Sequence, residues 1–496
     1  MTVRDAGPGA PTPTAPARFG ALYSELELHR AVLRAYTKPL FFWKKALSRS
    51  HDGRTLYDFA RRTPENVERL HQSLVRRRFH FREALPVRYN FNGRARTIYL
   101  FPWEERLVDL LLYRLLVRHF HGAFSSHSYA YRYRGFGVDA CQRRIARALA
   151  AASRPVYFIK RDIADYFPSV DHALLLEGLG RWVDPGDYLF ELCQELVWFR
   201  IRTDDGVTTA EQGIAFGSAT ACFFANLYLV PLDQALGALP ALAYFRYADD
   251  LLAFSPDRDV LTEAAARYDT VLESLRLRSK PSHHRNFAFG LAHGSDPVFT
   301  SVTRFRHLGL EFREDGSIGL SRDKARKLRN LFRFALRRAR RRLRRATDPE
   351  VRARRVIDVI RDVVENGVRS VAIIDYYLKH VDDERQLRLL DRWLAEEVLA
   401  WVFRHGHTKG SFRRLPFARL RALGLPSLRH RRRLLRHGCL GSSFFVLRTE
   451  RLIKREGEAA ARPSGAFSPS LEAAAHATPR ERGGRLSIDV IEERRH

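Results

Sequence analysis

Two adjacent carboxylates, Asp249 and Asp250, interrupt the apolar stretch Ala241 to Ser255, ALAYFRYADDLLAFS. Acids inside an apolar run are costly to bury unless a positive partner sits on them. A divalent cation is the natural partner, because Mg²⁺ prefers carboxylate oxygens and substrate phosphates. A third acid lies upstream in VYFIKRDIADYFPSV, where the apolar run Val156 to Ile159 leads into Asp162 and Asp165 follows. Two metal ions about 3.5–4 Å apart can clamp an in-line phosphoryl displacement, and holding them takes carboxylates from more than one strand. Asp162 and Asp249 could bridge both ions, with Asp250 beside them. Taken alone, the acidic pair fits a surface hairpin with an acidic tip equally well.

Such carboxylates need rigid supports. Apolar runs on both sides of Asp249-Asp250 predict two short strands joined by a tight turn that pushes both acids into solvent. The upstream run predicts a strand that ends on Asp162 and turns into a helix. In VRYNFNGRARTIYL, Asn92-Gly93 between two semi-apolar runs predicts a hairpin. Arg94 and Arg96 alternate on its second strand and so share a face. Helices are expected over 25–45, 63–78, 102–120, 138–149 and 261–275, the 102–120 helix being amphipathic. Residues 172–199 read as mainly helical with a break at Asp184-Pro185-Gly186, and 200–209 as a short hairpin. In EQGIAFGSATACFFANLYL, Gln212-Gly213 precedes a helix on which Ser218 and Asn226 would share one side. Residues 322–345 hold 13 Lys or Arg in 24, with Asp323 the only acid. Apolar residues between them predict a helix with one basic face, and further helices are expected over 351–365, 370–381 and 385–405.

Composition sets the broad class. The chain has 496 residues, 45% hydrophobic, enough for a large core and two to four domains. It carries 86 Lys and Arg against 56 Asp and Glu, a formal charge of +30 that attracts polyanions. No apolar run approaches the roughly 18 residues of a membrane span. Cys141, Cys193, Cys222 and Cys439 lie far apart, without zinc-ligand spacing. A reducing cytoplasm is the expected location, and the first residues lack the order of a signal peptide.

In chain order these motifs resemble the reverse transcriptases. Asp162 to Val170 is similar to their first palm motif and Tyr247 to Asp250 to their YxDD box. FSSHSYAYRYRG, from Phe124 to Gly135, resembles the FSxxSYGFRPG stretch of group II intron-type enzymes through Phe124, Ser125, Ser128, Tyr129, Arg132 and Gly135. Ala130 stands where that pattern has Gly, and Tyr133 where it has Pro. Gln212-Gly213 resembles the PQGxxxS-type motif, with Glu211 in place of Pro, and Phe305 to Phe312, FRHLGLEF, resembles the primer-grip hairpin. The specific resemblance covers about residues 85–315.

The resemblance implies an α+β right-hand polymerase, with fingers, a palm built on an antiparallel sheet plus helices, and a helical thumb. It divides the chain into a disordered start (1–18), a helical extension (19–84), fingers (85–155), a palm with inserted fingers elements (156–315), a thumb and basic region (316–455) and a mostly flexible tail (456–496). Within that tail 486–491 could dock as a strand. The implied activity is RNA-directed DNA synthesis, with Asp162, Asp249 and Asp250 as catalytic metal ligands for Mg²⁺ or Mn²⁺. Arg94 and Arg96 would contact the triphosphate, Phe167 would exclude a 2′-hydroxyl, and Gln212 and Gly213 would lie beside the template base and nascent pair. The proton donor to pyrophosphate is open among Lys280, His283 and His284. Arg132, Arg134, Arg337, Arg338, Arg341, Arg431 and Arg432 are the expected nucleic-acid contacts. Expected partners are deoxynucleoside triphosphates, a DNA product, and an RNA template or structured noncoding RNA, with no membrane. Integrase, protease, RNase H and Cys/His-rich endonuclease signatures are absent, and the extra motifs of retron enzymes are not apparent. A stand-alone bacterial enzyme of antiviral defence, similar to the abortive-infection and unknown-group lineages, is the expected context. A domesticated group II intron-like enzyme and a noncatalytic RNA-binding scaffold are the alternatives.

Overall fold

The computed structural model describes residues 15–37, 50, 53–91, 94–133, 135–291, 296–344, 347–403 and 410–437. The expected Asn92-Gly93 turn, Arg134, Cys439, most of the 1–18 start, and the 456–496 tail with its 486–491 strand lie outside the described residues. The chain separates into two compact units, one ending at Val302 and one starting at Thr303.

The first unit opens, after its N-terminal helices, with the hairpin of β1 (Leu85–Phe91) and β2 (Arg94–Leu100). Next comes the Trp103–His119 helix, which buries Leu107, Val108, Leu111, Leu112, Leu115 and Leu116. Trp103, Glu104, Glu105, Asp109 and Val117 are buried as well, which carries the covered surface round most of the helix, so the core wraps it instead of leaving it amphipathic as expected. β3 (Val156–Arg161) follows the Val138–Ala151 helix, and β4 (Arg200–Thr203) with β5 (Gly206–Thr209) forms the expected short hairpin.

The main sheet joins β3 to β6 (Ala243–Tyr247), β7 (Asp250–Ser255), β8 (Arg285–Phe289) and β9 (Thr300–Ser301), in the spatial order β6-β7-β3-β8-β9. All neighbours are antiparallel except β8 and β9. β3 lies in the middle because its residues pack on both faces. The Phe158 ring stacks on Phe287 at 4.9 Å and meets Phe254 and Phe289 at 5.3 and 5.0 Å. Each such side chain contributes about 1.5–3 kcal/mol when fully buried. The Arg258–Ser274 helix packs on β3 and β7, and its buried Leu261, Ala264, Tyr268 and Leu272 recur at helical spacing.

The second unit begins with a three-stranded sheet of β10 (Arg304–His307), β11 (Leu310–Arg313) and β12 (Ile318–Leu320). The FRHLGLEF hairpin therefore falls in this unit. Helices Arg322–Arg338, Pro349–Arg361, Val368–Leu378, Glu384–Phe403 and Leu428–Arg436 follow. Leu328, Phe332 and Leu336 form the buried stripe of the basic helix, with Phe332 edge-on to Trp393 at 6.2 Å. The basic run breaks at Ala339, and a short helix, Arg340–Arg344, continues it. Among the described residues no helix is long and apolar enough to cross a membrane.

Candidate active site

Asp249 is the second residue of the two-residue turn between β6 and β7, closed by the pair Tyr247–Asp250. Ala248, the first, has φ +57. This left-handed conformation costs a non-glycine residue energy, and such strain persists only where its surroundings hold it. β3 runs antiparallel to β7 with Arg161 opposite Leu251, so the next positions outward, Asp162 and Asp250, reach the same end of the sheet. The two acids of the turn are only partly exposed, and the expectation that they project into solvent is corrected. The hairpin is held too closely by its neighbours for that.

Burial, and after it the charge of Asp162, pushes the Asp249 carboxyl up to about 6, while the nearby Arg96 guanidinium opposes the rise. Asp250 instead meets Lys160, whose Nζ is 3.4 Å from Oδ1. Opposed carboxylates in a partly buried site form a donor set that a hard cation satisfies. Among the described residues no group of three or more His, Cys, Asp or Glu side chains is placed to hold a metal ion. Mg²⁺ often takes only one or two protein carboxylates and completes its shell with water and substrate phosphates. Asp162 and Asp249 fit that pattern.

A fully buried ion pair supports the strained turn. Arg246 on β6 and Asp233 in the Val230–Gly237 helix are 1% and 2% exposed and bond through Nε–Oδ1 at 2.7 Å and Nη2–Oδ2 at 2.5 Å. Arg246 Nη1 donates to the Ala248 carbonyl at 3.0 Å, and Nη2 donates to Ser128 Oγ at 2.9 Å. Asn226 Oδ1 accepts from Arg246 at 3.3 Å, and Asn226 Nδ2 donates to the Ala130 carbonyl at 2.6 Å. The Ser128-Tyr129 segment thus docks on β6, with Tyr129 N–H donating to the Arg246 carbonyl at 2.9 Å. The sequence reading did not identify Arg246, Asp233 or Lys160. An arginine inside an apolar strand next to the acidic pair was the available signal.

Two glycines join the remaining expected substrate residues. Gly213 has φ +85, and a Cβ there would come within 2.9 Å of the Pro168 backbone. Its close approach is therefore to the 167–170 turn of its own chain, through Gly213 N–H to Val170 O at 2.8 Å and Ile214 N–H to Phe167 O at 2.9 Å. Gly217, at φ +119, would place a Cβ 2.7 Å from Ile98 Cγ2, beside the bond from Tyr99 N–H to Phe216 O at 2.9 Å. The 213–217 loop thereby ties β2, which carries Arg96, to the turn that carries Phe167. The half-buried Phe167 ring meets Phe216 at 5.5 Å and Tyr131 at 6.5 Å, and the Arg96 guanidinium lies 5.4 Å from the centre of the Phe216 ring. Gln212 is exposed and donates to the Ser169 carbonyl at 3.2 Å. Ser218 does not join Asn226. It bonds Asp109 at 2.8 Å, and this buried carboxylate also accepts from the N–H groups of Ala219 and Thr220, capping the Thr220–Tyr228 helix.

The proton-donor candidates separate. His283 Nδ1 lies 2.7 Å from Asp162 Oδ2, which fixes that carboxylate, and Lys280 N–H donates to the Asp162 carbonyl at 2.9 Å. Burial and the nearby Arg161 charge lower the pKa of His284, whose ring sits edge-on to Tyr268 at 6.5 Å.

The expected nucleic-acid contacts also divide. Arg132 is partly buried, donates to the carbonyls of Ser125, Ser128 and His121, and lies 3.9 Å from the Phe136 ring centre. These bonds brace its own loop. In the second unit Arg431 pairs with Asp375, with Nη2–Oδ2 at 2.8 Å, and Arg432 donates to the Val381 carbonyl. Both bond within that unit. Arg337, Arg338 and Arg341 are exposed, close to Phe334, which is 68% exposed. For Arg94 only the strand position is described.

Residues 90–312 match the family described as reverse transcriptase (RNA-dependent DNA polymerase). The retron Ec83 reverse transcriptase of Escherichia coli is 25% identical over 189 residues, covering 36% of this chain and 55% of that protein. The chain thus spans little more than half of that relative, which comes from the lineage set aside above for lack of its extra motifs. Solved telomerase structures are loosely similar. The enzyme of Candida albicans with a fragment of telomeric RNA gives 9% identity and a TM-score of 0.39 over 74% of this chain and 66% of its own. Apo telomerase from Candida tropicalis gives 11% and 0.39 over 69% of each chain. Residues 90–312 are therefore similar to the reverse transcriptase domain, and part of the chain is similar to a retron reverse transcriptase.

Proposed function

We propose that this protein is an RNA-directed DNA polymerase adding deoxynucleotides to a 3′ end. The observation that carries the reading is the meeting of Asp162, at the end of β3, with Asp249, in the β6–β7 turn, within electrostatic reach of Arg96. In this reading the main sheet is the palm of a right-hand polymerase, the β1–β2 hairpin belongs to the fingers, and the helices of the second unit form the thumb.

Asp162 and Asp249, assisted by Asp250, would hold Mg²⁺ or Mn²⁺. When bound, such ions supply charge neutralisation at the α-phosphate and a more acidic 3′-hydroxyl. The chain's own residues do the positioning. Arg96 offers a guanidinium fork to the triphosphate. Phe167, braced by Phe216 and Tyr131, presents a ring edge where a ribose 2′-hydroxyl would need room. His283 keeps the Asp162 carboxylate in one orientation, and the Arg246–Asp233 pair fixes the turn. Arg337, Arg338 and Arg341 would run along a nucleic-acid backbone.

The biological reading is antiviral defence with a structured noncoding RNA. The charge of +30 and the likeness to a retron reverse transcriptase support it. Purified protein should extend an oligo(dT) primer on a poly(rA) template with Mg²⁺ and stop when the metal is chelated. Failure to extend across primers, templates and both metals would reject the reading.

A further inference from the structure

A cavity in the second unit has a volume of about 680 Å³, within the roughly 300–1,000 Å³ typical of small-molecule sites. Among the described residues five arginines line it, with Asp391 the only carboxylate on its wall. Three of the five are neutralised. Arg392 pairs with Glu396 at 3.0 Å, Arg421 with Asp391 at 3.5 Å, and Arg429 with Glu384. Two are not. Arg388 reaches only the Glu384 carbonyl, at 3.3 Å, and the Arg433 side chain has no hydrogen bond or ion pair among the described residues. Unpaired guanidinium groups facing one concavity attract an anion and match phosphate with two donors each.

The same wall offers an aromatic surface. Phe417 lines the cavity and stays 36% exposed, with the Arg421 guanidinium 5.3 Å from its ring centre. Basic groups beside an open aromatic ring are the combination that binds single strands, in which a phosphate and an unstacked base are both available. A duplex would satisfy the arginines but leave the ring without a base, and an acidic peptide would use the ring no better. The Leu428–Arg436 helix divides its basic residues accordingly. Arg431 and Arg432 bond within the unit, while Arg429, His430 and Arg433 face the cavity.

We propose that this cavity holds one nucleotide of a single-stranded nucleic acid, its phosphate on Arg388 and Arg433 and its base against Phe417. The proposal rests on the polymerase reading only in taking nucleic acid as the polyanion. The test uses the full chain with fluorescein-labelled U12, dT12 and a 12-base-pair duplex, read by anisotropy across a salt series. Arg388→Ala/Arg433→Ala should weaken single-strand binding at least tenfold and lower the salt slope by about 0.7, the share of the one phosphate that the two arginines hold together. Phe417→Ala should weaken it about 5- to 100-fold with an unchanged salt slope. Tighter retention of U12 would assign the site to RNA and of dT12 to a DNA strand, and either supports it. Photocrosslinks from 4-thiouridine in U12 should map to the segment around Phe417. Unchanged affinity in both variants, equal losses on duplex, or crosslinks that avoid 412–433 would overturn the proposal. Primer extension on the same samples separates the two readings. Active variants with wild-type binding defeat the cavity alone, and an inactive wild type whose binding still depends on Phe417 defeats only the polymerase reading.

Discussion

Replacing Arg246 by Met should damage the protein more than any exposed arginine would. The pair it forms with Asp233 is 1% and 2% exposed, so water cannot take over either charge. After the substitution Asp233 keeps only the Tyr244 hydroxyl, at 2.7 Å, and breaking a buried pair from one side costs about 3–5 kcal/mol. The Ala248 carbonyl loses its donor as well, so the strained turn is released. Equilibrium urea unfolding should therefore show a loss of about 3–5 kcal/mol for Arg246→Met. Arg246→Met/Asp233→Leu should recover much of it, because an apolar pair removes the stranded charge. Nucleotide incorporation should stay low in both variants, since neither holds the Ala248 carbonyl. A loss below about 1 kcal/mol in the single variant, or full recovery of incorporation in the double, would refute this reasoning.

Three further outcomes follow from the site. Phe167→Ala should raise ribonucleotide use relative to deoxynucleotide use, measured as the ratio of kcat/KM values, and an unchanged ratio would place the sugar gate elsewhere. Gly213→Ala should lower the melting temperature and nucleotide incorporation together, because its Cβ would fall 2.9 Å from the Pro168 backbone at φ +85. The Asp249 carboxyl, raised to about 6 in the fold, binds a proton that the unfolded chain releases near 3.8. Metal-free stability should therefore fall as pH rises from about 4 to about 6, by at most ~3 kcal/mol, and Asp249→Asn should abolish that fall. Urea titrations in chelator across this range check it.

The strands and their acidic ends were legible in the sequence because a period of two, a short apolar run and a two-residue turn are local signals. Asp162 and Asp249 come together because each ends an apolar run, and the antiparallel pairing of β3 with β7 does the rest. Charge was a poorer guide to contact. Arg132, Arg431 and Arg432 looked free in a basic sequence, but carbonyl groups and a buried Asp375 take them up, and sequence does not reveal those long-range acceptors. Asp109 and Asp233 were missed for the same reason, since their partners lie 110 and 13 residues away. Gly213 was expected beside the template base and nascent pair, and the backbone it meets closely in the fold is that of Pro168.

The central claim is that Asp162 and Asp249 carry nucleotidyl transfer. Its most direct measurement is labelled deoxynucleotide incorporation by Asp249→Asn/Asp250→Asn beside the wild type, with circular dichroism to verify the fold. The account predicts that incorporation falls to background while the folded signal and RNA binding persist. Incorporation at the wild-type rate by the folded double variant would contradict it.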